Sequence, residues 1–218
     1  MTNPLSYAVI RECQNPKCNL RFPDSYELDI SINCPICGSA ALIKETINLT
    51  KDCRDINNWK PFREFTLILD NVRSVYNVGA IFRTAIGLGL NHVYLCGITP
   101  TPKHRQFSKT SLGAENFINW EKSLNCVEQC KSLKEIGYQL ISIESTSESI
   151  SLLNIKKIDL GDSKTAIIVG NEITGIDPKV LSLSDLVISI PITGKNKSFN
   201  VTTALGIALF HLSALSLI

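Results

Sequence analysis

Five short apolar stretches recur at intervals through the second two thirds of the chain. Each contains β-branched residues and none is longer than six residues, a pattern typical of buried strands rather than helices. Pro191 follows the last stretch and cannot donate a hydrogen bond to a β-ladder. The pattern predicts strands at Phe65–Leu69, His92–Cys96, Tyr138–Ile143, Thr165–Val169 and Leu186–Ile190.

The segments between these strands carry apolar residues at helical spacing. We predict one helix directly after the first strand and a second over Cys126–Ile136. A third helix should begin near Asp177 with Pro178 at its first position. The last segment, Val201–Leu215, is apolar nearly throughout, so we expect a helix capped by Asn200 and buried on most sides. Alternating strands and helices predict an open α/β domain with a parallel sheet.

Length and composition limit the remaining possibilities. The 218 residues allow one full domain and a small appendage, and 44% hydrophobic with 19% charged residues are values of a globular protein. The net charge of +2 neither requires nor excludes a nucleic-acid partner. The start of the chain has no secretory pattern, and Val201–Ile218 contains too many polar residues for a membrane span. We therefore expect a cytoplasmic protein with no membrane association.

Four of the eight cysteines lie within the first forty residues. They form two closely spaced pairs, and Gly38 after the second pair allows the backbone to turn toward the sulfur atoms. Two such pairs supply the four thiolates of a structural zinc site, whereas free thiols are the alternative. We predict a zinc ribbon over residues 1–43, a linker over 44–63, and zinc ligands Cys13, Cys18, Cys34 and Cys37. No role is assigned to Cys53, Cys96, Cys126 or Cys130.

A long loop from Gly97 to Leu112 is basic and contains no acidic residue. Basic side chains neutralise RNA phosphates, and an aromatic ring such as that of Phe107 stacks on bases. The loop is therefore either an RNA-binding segment or an ordinary solvated loop. In the first case the candidate RNA-binding residues are Lys103, Arg105 and Lys109.

Three polar loops follow strands of the predicted sheet, at 71–83, 170–175 and 191–200. Ligands collect at the carboxyl ends of strands in open α/β sheets. None of the loops has the Gly-x-Gly-x-x-Gly or the Gly-x-x-x-x-Gly-Lys-Ser pattern, which argues against a Rossmann dehydrogenase and against an ATPase.

The three loops carry the sequences NVGAIFRT (77–84), VGNEITGI (169–176) and IPITGKNKSFNVTTA (190–204). In order and spacing they resemble the three motifs of the SPOUT class of RNA methyltransferases, and most closely the TrmH/SpoU branch of ribose 2′-O-methyltransferases. The resemblance covers about residues 64–215. It implies a knotted α/β domain over 64–218, an open parallel sheet with helices on both faces whose C-terminal segment forms a deep trefoil knot, preceded here by the small zinc ribbon.

The same resemblance implies S-adenosylmethionine as cofactor and a homodimer. The cofactor would contact Gly170, Ile190 and Phe199, largely through their backbone. Phe199 stands where the family usually has leucine, a change that keeps an apolar residue next to the adenosine. Ile143, at the end of its strand, is expected to lie against the same ligand.

For catalysis, the resemblance implies that Arg83 is the base, acting with an RNA phosphate. The chemistry of a guanidinium instead favours binding that phosphate, because arginine does not lose its proton in proteins. Asn77, Glu172, Ser198 and Asn200 would order the loops or position the substrate, and Asn200 would also cap the last helix.

Three functions remain open from the sequence. The first is S-adenosylmethionine-dependent methylation of a ribose 2′-hydroxyl in structured RNA, tRNA or rRNA. The second is methylation of an RNA base on the same fold, and the third is a non-catalytic zinc-ribbon RNA-binding protein. Retention of all the polar motif residues favours the ribose enzyme. The zinc ribbon is expected to contact either RNA or a protein partner.

Overall fold

The computed structural model describes residues 7–24, 32–49, 65–156 and 164–215. The chain divides into two compact units, residues 1–59 and residues 60–218. We refer to them as the N-terminal unit and the C-terminal unit and describe each by itself.

The N-terminal unit contains an antiparallel sheet of four strands in the order β2-β1-β4-β3. Its strands are β1 (Tyr7–Cys13), β2 (Arg21–Asp24), β3 (Ile32–Asn33) and β4 (Ala40–Asn48). The predicted start of the linker at residue 44 is wrong, because β4 pairs with β1 as far as the partners Tyr7 and Asn48. Backbone hydrogen bonds hold β4 against β1. The side chains of β4 are mostly exposed, and polar and apolar residues do not have to alternate for this pairing to form. Residues 50–63 of the predicted linker lie outside the described residues.

The C-terminal unit is built on a seven-stranded sheet in the order β7-β6-β5-β10-β8-β11-β9, and every strand pair in it is parallel. All five predicted strands are present. The strands are β5 (Phe65–Asp70), β6 (His92–Cys96), β7 (Asn119–Ser123), β8 (Gln139–Ile143), β9 (Ile150–Ser151), β10 (Thr165–Val169) and β11 (Leu186–Ser189).

Helices cover both faces of this sheet, as predicted. They are α1 (Val75–Gly87), α2 (Ser108–Ser111), α3 (Cys126–Glu135), α4 (Pro178–Leu183) and α5 (Val201–Leu215). Successive residues of a strand point to opposite faces, so Leu67 and Leu69 of β5 pack in one core with α1 and α5, while Ile68 packs in another core with α3 and α4. The trefoil knot stays a prediction.

Sequence reasoning missed β7 and β9, which form the two edges of the sheet. The sequence of β7 is NWEKS, in which tryptophan is the one large apolar residue. An edge strand is held by backbone bonds to a single neighbour and is less deeply buried. It therefore needs no continuous apolar run.

Helix α5 is less buried than its composition predicted. Its cap is as expected, since the Asn200 side chain accepts a hydrogen bond from the backbone N–H of Thr202 at 2.9 Å. Leu205, Leu209 and Leu212 are buried, but Phe210 is 63% exposed and Ile207 is 39% exposed. The exposed residues of α5 form one strip, so the expectation of a helix buried on most sides holds outside that strip.

Within the part of the chain that the structure describes, no helix combines the length and apolar character needed to cross a membrane.

Candidate functional site

A cavity of about 510 Å³ opens in the C-terminal unit at the carboxyl ends of β8, β10 and β11. These three strands are adjacent in the sheet, so the segments that leave them meet at one edge. The second and third predicted motif loops form most of the walls. The lining includes Ile143, Glu144, Gly170, Asn171, Glu172, Ile190, Lys197, Ser198, Phe199 and Asn200.

The loop after β10 is a closed turn. Asn171 and Gly175 exchange backbone hydrogen bonds of 3.1 and 3.0 Å, and the Asn171 side chain accepts from the N–H groups of Ile173 and Thr174. Gly175 has a φ of +72°, a conformation that glycine adopts readily. A side chain at Gly170 would run into the backbone of Gly175 and Ile176. Gly170 is therefore needed for this turn to pack against its own strand.

Glu172 connects this turn to the start of α1. Its carboxylate accepts hydrogen bonds from the backbone N–H of Arg73 at 2.9 Å, the backbone N–H of Ser74 at 3.0 Å and the side-chain amide of Asn77 at 2.8 Å. Partial burial acts to raise the pKa of Glu172, but these donors stabilise the charged form and the net effect is a lowered pKa. Glu172 thus remains ionised and fixes the first turn of α1.

Asn77 extends the connection to the third loop. Its side-chain oxygen accepts from the Asn200 side-chain amide at 3.1 Å, while the backbone oxygen of Asn77 accepts from the Thr202 hydroxyl at 3.4 Å. Asn200 also caps α5. Glu172, Asn77 and Asn200 therefore form one chain of side-chain hydrogen bonds that joins all three motif loops at the cavity.

All four predicted cofactor residues, Ile143, Gly170, Ile190 and Phe199, line the cavity. So do three of the predicted catalytic residues, Glu172, Ser198 and Asn200. Asn77 joins them through hydrogen bonds. The structure therefore brings these residues together in one place.

Arg83 lies apart from the cavity lining, on α1 two turns beyond Asn77. Its side chain is exposed and forms no hydrogen bond or ion pair with any residue that the structure describes. The charge of Arg83 is therefore available to a ligand outside the chain.

The basic loop is folded against α1. Lys103, Arg105 and Lys109 are exposed, as RNA-binding residues must be. The prediction for Phe107 is wrong, because its side chain is fully buried and packs edge-on against Phe82 with ring centroids 5.1 Å apart. A ring in that position cannot stack on a base, and it instead anchors the loop to α1.

Sequence reasoning did not identify Glu144, which lines the cavity. Its carboxylate accepts from the backbone N–H of Ile176 at 3.1 Å and of Ser145 at 2.9 Å. The available signal was its place directly after strand β8, where side chains at the carboxyl end of a parallel sheet meet a ligand. Asp70 was also missed; it is buried and accepts from the N–H of Asp177 at 2.8 Å.

The four N-terminal cysteines form a second candidate site, within the N-terminal unit. Their sulfur atoms all lie within 4.8 Å of one another, with Cys13 to Cys37 at 3.4 Å and Cys18 to Cys34 at 3.7 Å. Tetrahedral zinc with Zn–S bonds of about 2.3 Å requires sulfur separations of about 3.8 Å. Among the described residues this is the one cluster of metal-ligating side chains. The donor set and its spacing fit zinc.

The surroundings of these thiols differ. Burial raises the pKa of the Cys13 thiol to about 12, whereas hydrogen bonds from the side chain and backbone of Ser39 lower the pKa of Cys37 to about 6. Gly38 has a φ of +72°, and its N–H donates to the oxygen of Cys34 in the turn that presents the second cysteine pair.

Comparison with known proteins identifies the C-terminal unit. Residues 64–210 match the SpoU rRNA Methylase family. The chain belongs to this family. The match contains all three loops around the cavity and excludes the N-terminal cysteine cluster, which is thus an addition to the SpoU rRNA Methylase region.

Several relatives have names that describe a reaction. A tRNA (guanosine(18)-2′-O)-methyltransferase of Borreliella burgdorferi is 31% identical over 147 residues, which are 67% of this chain and 65% of that protein. A protein of the same name from Aquifex aeolicus is 28% identical over 178 residues, covering 78% of this chain and 79% of the relative. The match thus spans slightly less than two thirds of the Borreliella protein and more of the Aquifex protein.

Solved structures share the fold of the C-terminal unit. The A. aeolicus TrmH/SpoU tRNA modifying enzyme superposes with a TM-score of 0.61 at 24% identity, over 70% of this chain and 75% of that chain. The AdoMet-bound rRNA methyltransferase from Sinorhizobium meliloti superposes with a TM-score of 0.64 at 24% identity, over 72% of this chain and 61% of that chain.

Proposed function

We propose that the chain is an S-adenosylmethionine-dependent RNA (ribose-2′-O)-methyltransferase that acts on a structured RNA, tRNA or rRNA, in the cytoplasm. The observation that carries this proposal is the hydrogen-bonded chain Glu172–Asn77–Asn200, which joins the three family motifs at one cavity. Family membership and the relatives named as 2′-O-methyltransferases of tRNA support it.

The cavity has features suited to S-adenosylmethionine. Ile143, Ile190 and Phe199 offer apolar surface for an adenosine, and Gly170 lines the same cavity. When bound, the cofactor supplies an electrophilic methyl group on a sulfonium. The chain must then hold the RNA ribose in line with that group and assist the loss of its hydroxyl proton.

Arg83 is our candidate for the residue that meets the RNA at the reacting nucleotide. Its guanidinium would hold an RNA phosphate and so orient the 2′-hydroxyl, whose proton would pass to water as the oxygen takes the methyl group. Glu172 and Asn77 fix the start of the helix that carries Arg83, while Ser198 and Asn200 line the cavity wall on the third loop. Exposed Lys103, Arg105 and Lys109 would neutralise further phosphates of the RNA.

We further propose that Cys13, Cys18, Cys34 and Cys37 hold one structural zinc ion. Four thiolates occupy every position of a tetrahedral site and leave none for a substrate. In the described part of the N-terminal unit the buried apolar side chains are Val9, Cys13, Cys34 and Ala41, and two of these are the proposed ligands. So small a core needs an additional source of folding free energy, which a metal supplies.

We also propose that the protein is a homodimer. The exposed side chains of Ile207 and Phe210 lie on one side of α5, three residues apart, and give this helix an apolar strip in the single chain. Covering that strip by a second copy would bury it. Sedimentation of the wild type should give twice the mass of 24.1 kDa, and Phe210→Glu should shift the mass toward the monomer.

The first experiment is transfer of labelled methyl from S-adenosylmethionine to bulk tRNA and, separately, to rRNA, followed by nucleoside analysis. The proposal expects a labelled 2′-O-methylnucleoside from one of the two RNA classes. Label on a base would overturn the ribose chemistry. Absence of label on both RNAs, with cofactor binding intact, would favour a binding protein.

A further inference from the structure

The solvent side of α1 carries a tyrosine that has no part in the proposed catalysis. Tyr76 is 48% exposed and stands directly before Asn77. Its side chain has no hydrogen bond, ring contact or cation partner among the residues that the structure describes. An exposed, unpartnered aromatic ring next to a proposed substrate site is available to a ligand.

Helix geometry places Tyr76 and Arg83 on the same line of α1. Residues seven positions apart in an α-helix differ by about 20° around the axis and by about 10.5 Å along it. The inward side of the helix is occupied by buried residues such as Val78, Ile81 and Phe82, so the line of Tyr76 and Arg83 faces solvent. Whatever molecule reaches Arg83 along this side of the helix also meets the tyrosine ring.

The ring is also bracketed by a second arginine. Arg73 lies three residues before Tyr76, just ahead of the helix, and its side chain is exposed. Neither Arg73 nor Arg83 forms an ion pair within the described parts of the chain. Two free guanidinium groups on either side of an exposed aromatic ring are the arrangement expected where an RNA strand runs, with phosphates held at the ends and a base stacked between.

We propose that Tyr76 stacks on an RNA base next to the target ribose, while Arg73 and Arg83 hold the flanking phosphates. This inference rests on the proposed methyltransferase function. The sequence suggested a stacking role for Phe107, but that residue is buried. We assign the role to Tyr76, which is exposed. Because every base presents a π-face, the contact supplies affinity and position rather than a choice of base.

The test is binding of bulk tRNA, measured by filter binding over a range of salt concentrations, to the full-length wild type and three variants. Tyr76→Phe keeps the ring and should bind as the wild type does. Tyr76→Leu should bind roughly 5- to 150-fold more weakly, the range measured for loss of one stacked base. Its slope of log K against log salt should be unchanged, whereas Arg73→Gln should lower the slope by about 0.7 to 0.9.

Three results would overturn the stacking role. Wild-type binding by Tyr76→Leu would show that the ring does not meet the RNA. Equal weakening in Tyr76→Phe would assign the effect to the hydroxyl group. A change in sedimentation mass that accompanies the weakening in Tyr76→Leu would show that a second copy of the chain covers the ring. Each of these can occur while the wild type still methylates RNA, so failure here is distinct from failure of the proposed function.

Discussion

The N-terminal sheet and the cavity in the C-terminal unit assemble their polar side chains over very different distances along the chain. The sulfur atoms of Cys13 and Cys37 come together across 24 positions of the sequence. The two cysteine pairs lie at short turns next to the strands of one small sheet. At the cavity, Glu172 binds the N–H of Arg73 across 99 positions and Asn77 meets Asn200 across 123. The first arrangement is local, and the second requires the whole sheet.

The difference also concerns what stabilises each region. The described part of the N-terminal unit buries four apolar side chains, among them two cysteines, and also buries Arg11 in an ion pair of 2.7 Å with Asp24. The C-terminal unit has a large apolar core on each face of its sheet. We therefore expect metal to control the fold of the N-terminal unit and to leave the cavity unaffected.

The largest expected effect tests this contrast directly. Cys34→Ser should remove the zinc, here expected at one ion per chain, and unfold the N-terminal unit, because structural zinc contributes on the order of 10 kcal/mol to small domains. Elemental analysis and limited proteolysis measure both changes. Cofactor binding should be retained. Cys53→Ser serves as the matched control, and undiminished zinc in Cys34→Ser would contradict the metal assignment.

The second effect concerns chemistry at the C-terminal unit. Arg83→Ala should lower the methyl-transfer rate by at least about 100-fold, since it removes a charged group proposed to act in the transition state. The side chain of Arg83 is exposed, so the midpoint of thermal unfolding and the affinity for S-adenosylmethionine should not change. Lys131→Ala, an exposed cation on α3, is the control. Wild-type turnover by Arg83→Ala would refute the assignment.

The third effect is steric. Gly170→Ala places a methyl group against the backbone of Gly175 and Ile176, so the turn must move. We expect the affinity for S-adenosylmethionine, measured by calorimetry, to fall by about tenfold, equivalent to about 1.4 kcal/mol. A side chain at Gly87 meets open space, which makes Gly87→Ala the matched control. Equal affinities of the two variants would show that the cofactor does not depend on this turn.

The smallest effect depends on pH. Glu172→Gln should lower the free energy of unfolding by about 1 kcal/mol at pH 7, a modest value because solvent screens the exposed carboxylate. The folded-state pKa of Glu172 lies below its ordinary value of 4.5, so its contribution is complete above that pH and is lost as the pH falls through the lowered pKa. Urea unfolding at pH 7 and pH 3.5 should show the two proteins converging at the lower pH. A difference independent of pH would mean that the charge of Glu172 is not involved.

Some features of this protein were determined by the sequence alone. Buried parallel strands are short runs of mostly apolar residues, so Thr165–Val169 and His92–Cys96 were predicted at their observed bounds. The cysteine pairs were similarly local, because spacing along a turn fixes where their sulfur atoms lie. Asn200 was recognised as a helix cap because the capping hydrogen bond spans only two residues.

Other features were decided only by the tertiary structure. Phe107 faces the core because it packs against Phe82. The two residues are 25 positions apart in the sequence and meet only in the folded chain. The same holds for the exposure of Phe210 on α5 and for the edge strand β7, because burial depends on the elements packed alongside rather than on the residue type. Glu144 and Tyr76 carry no motif, and only the packed sheet and the exposed side of α1 reveal what they face.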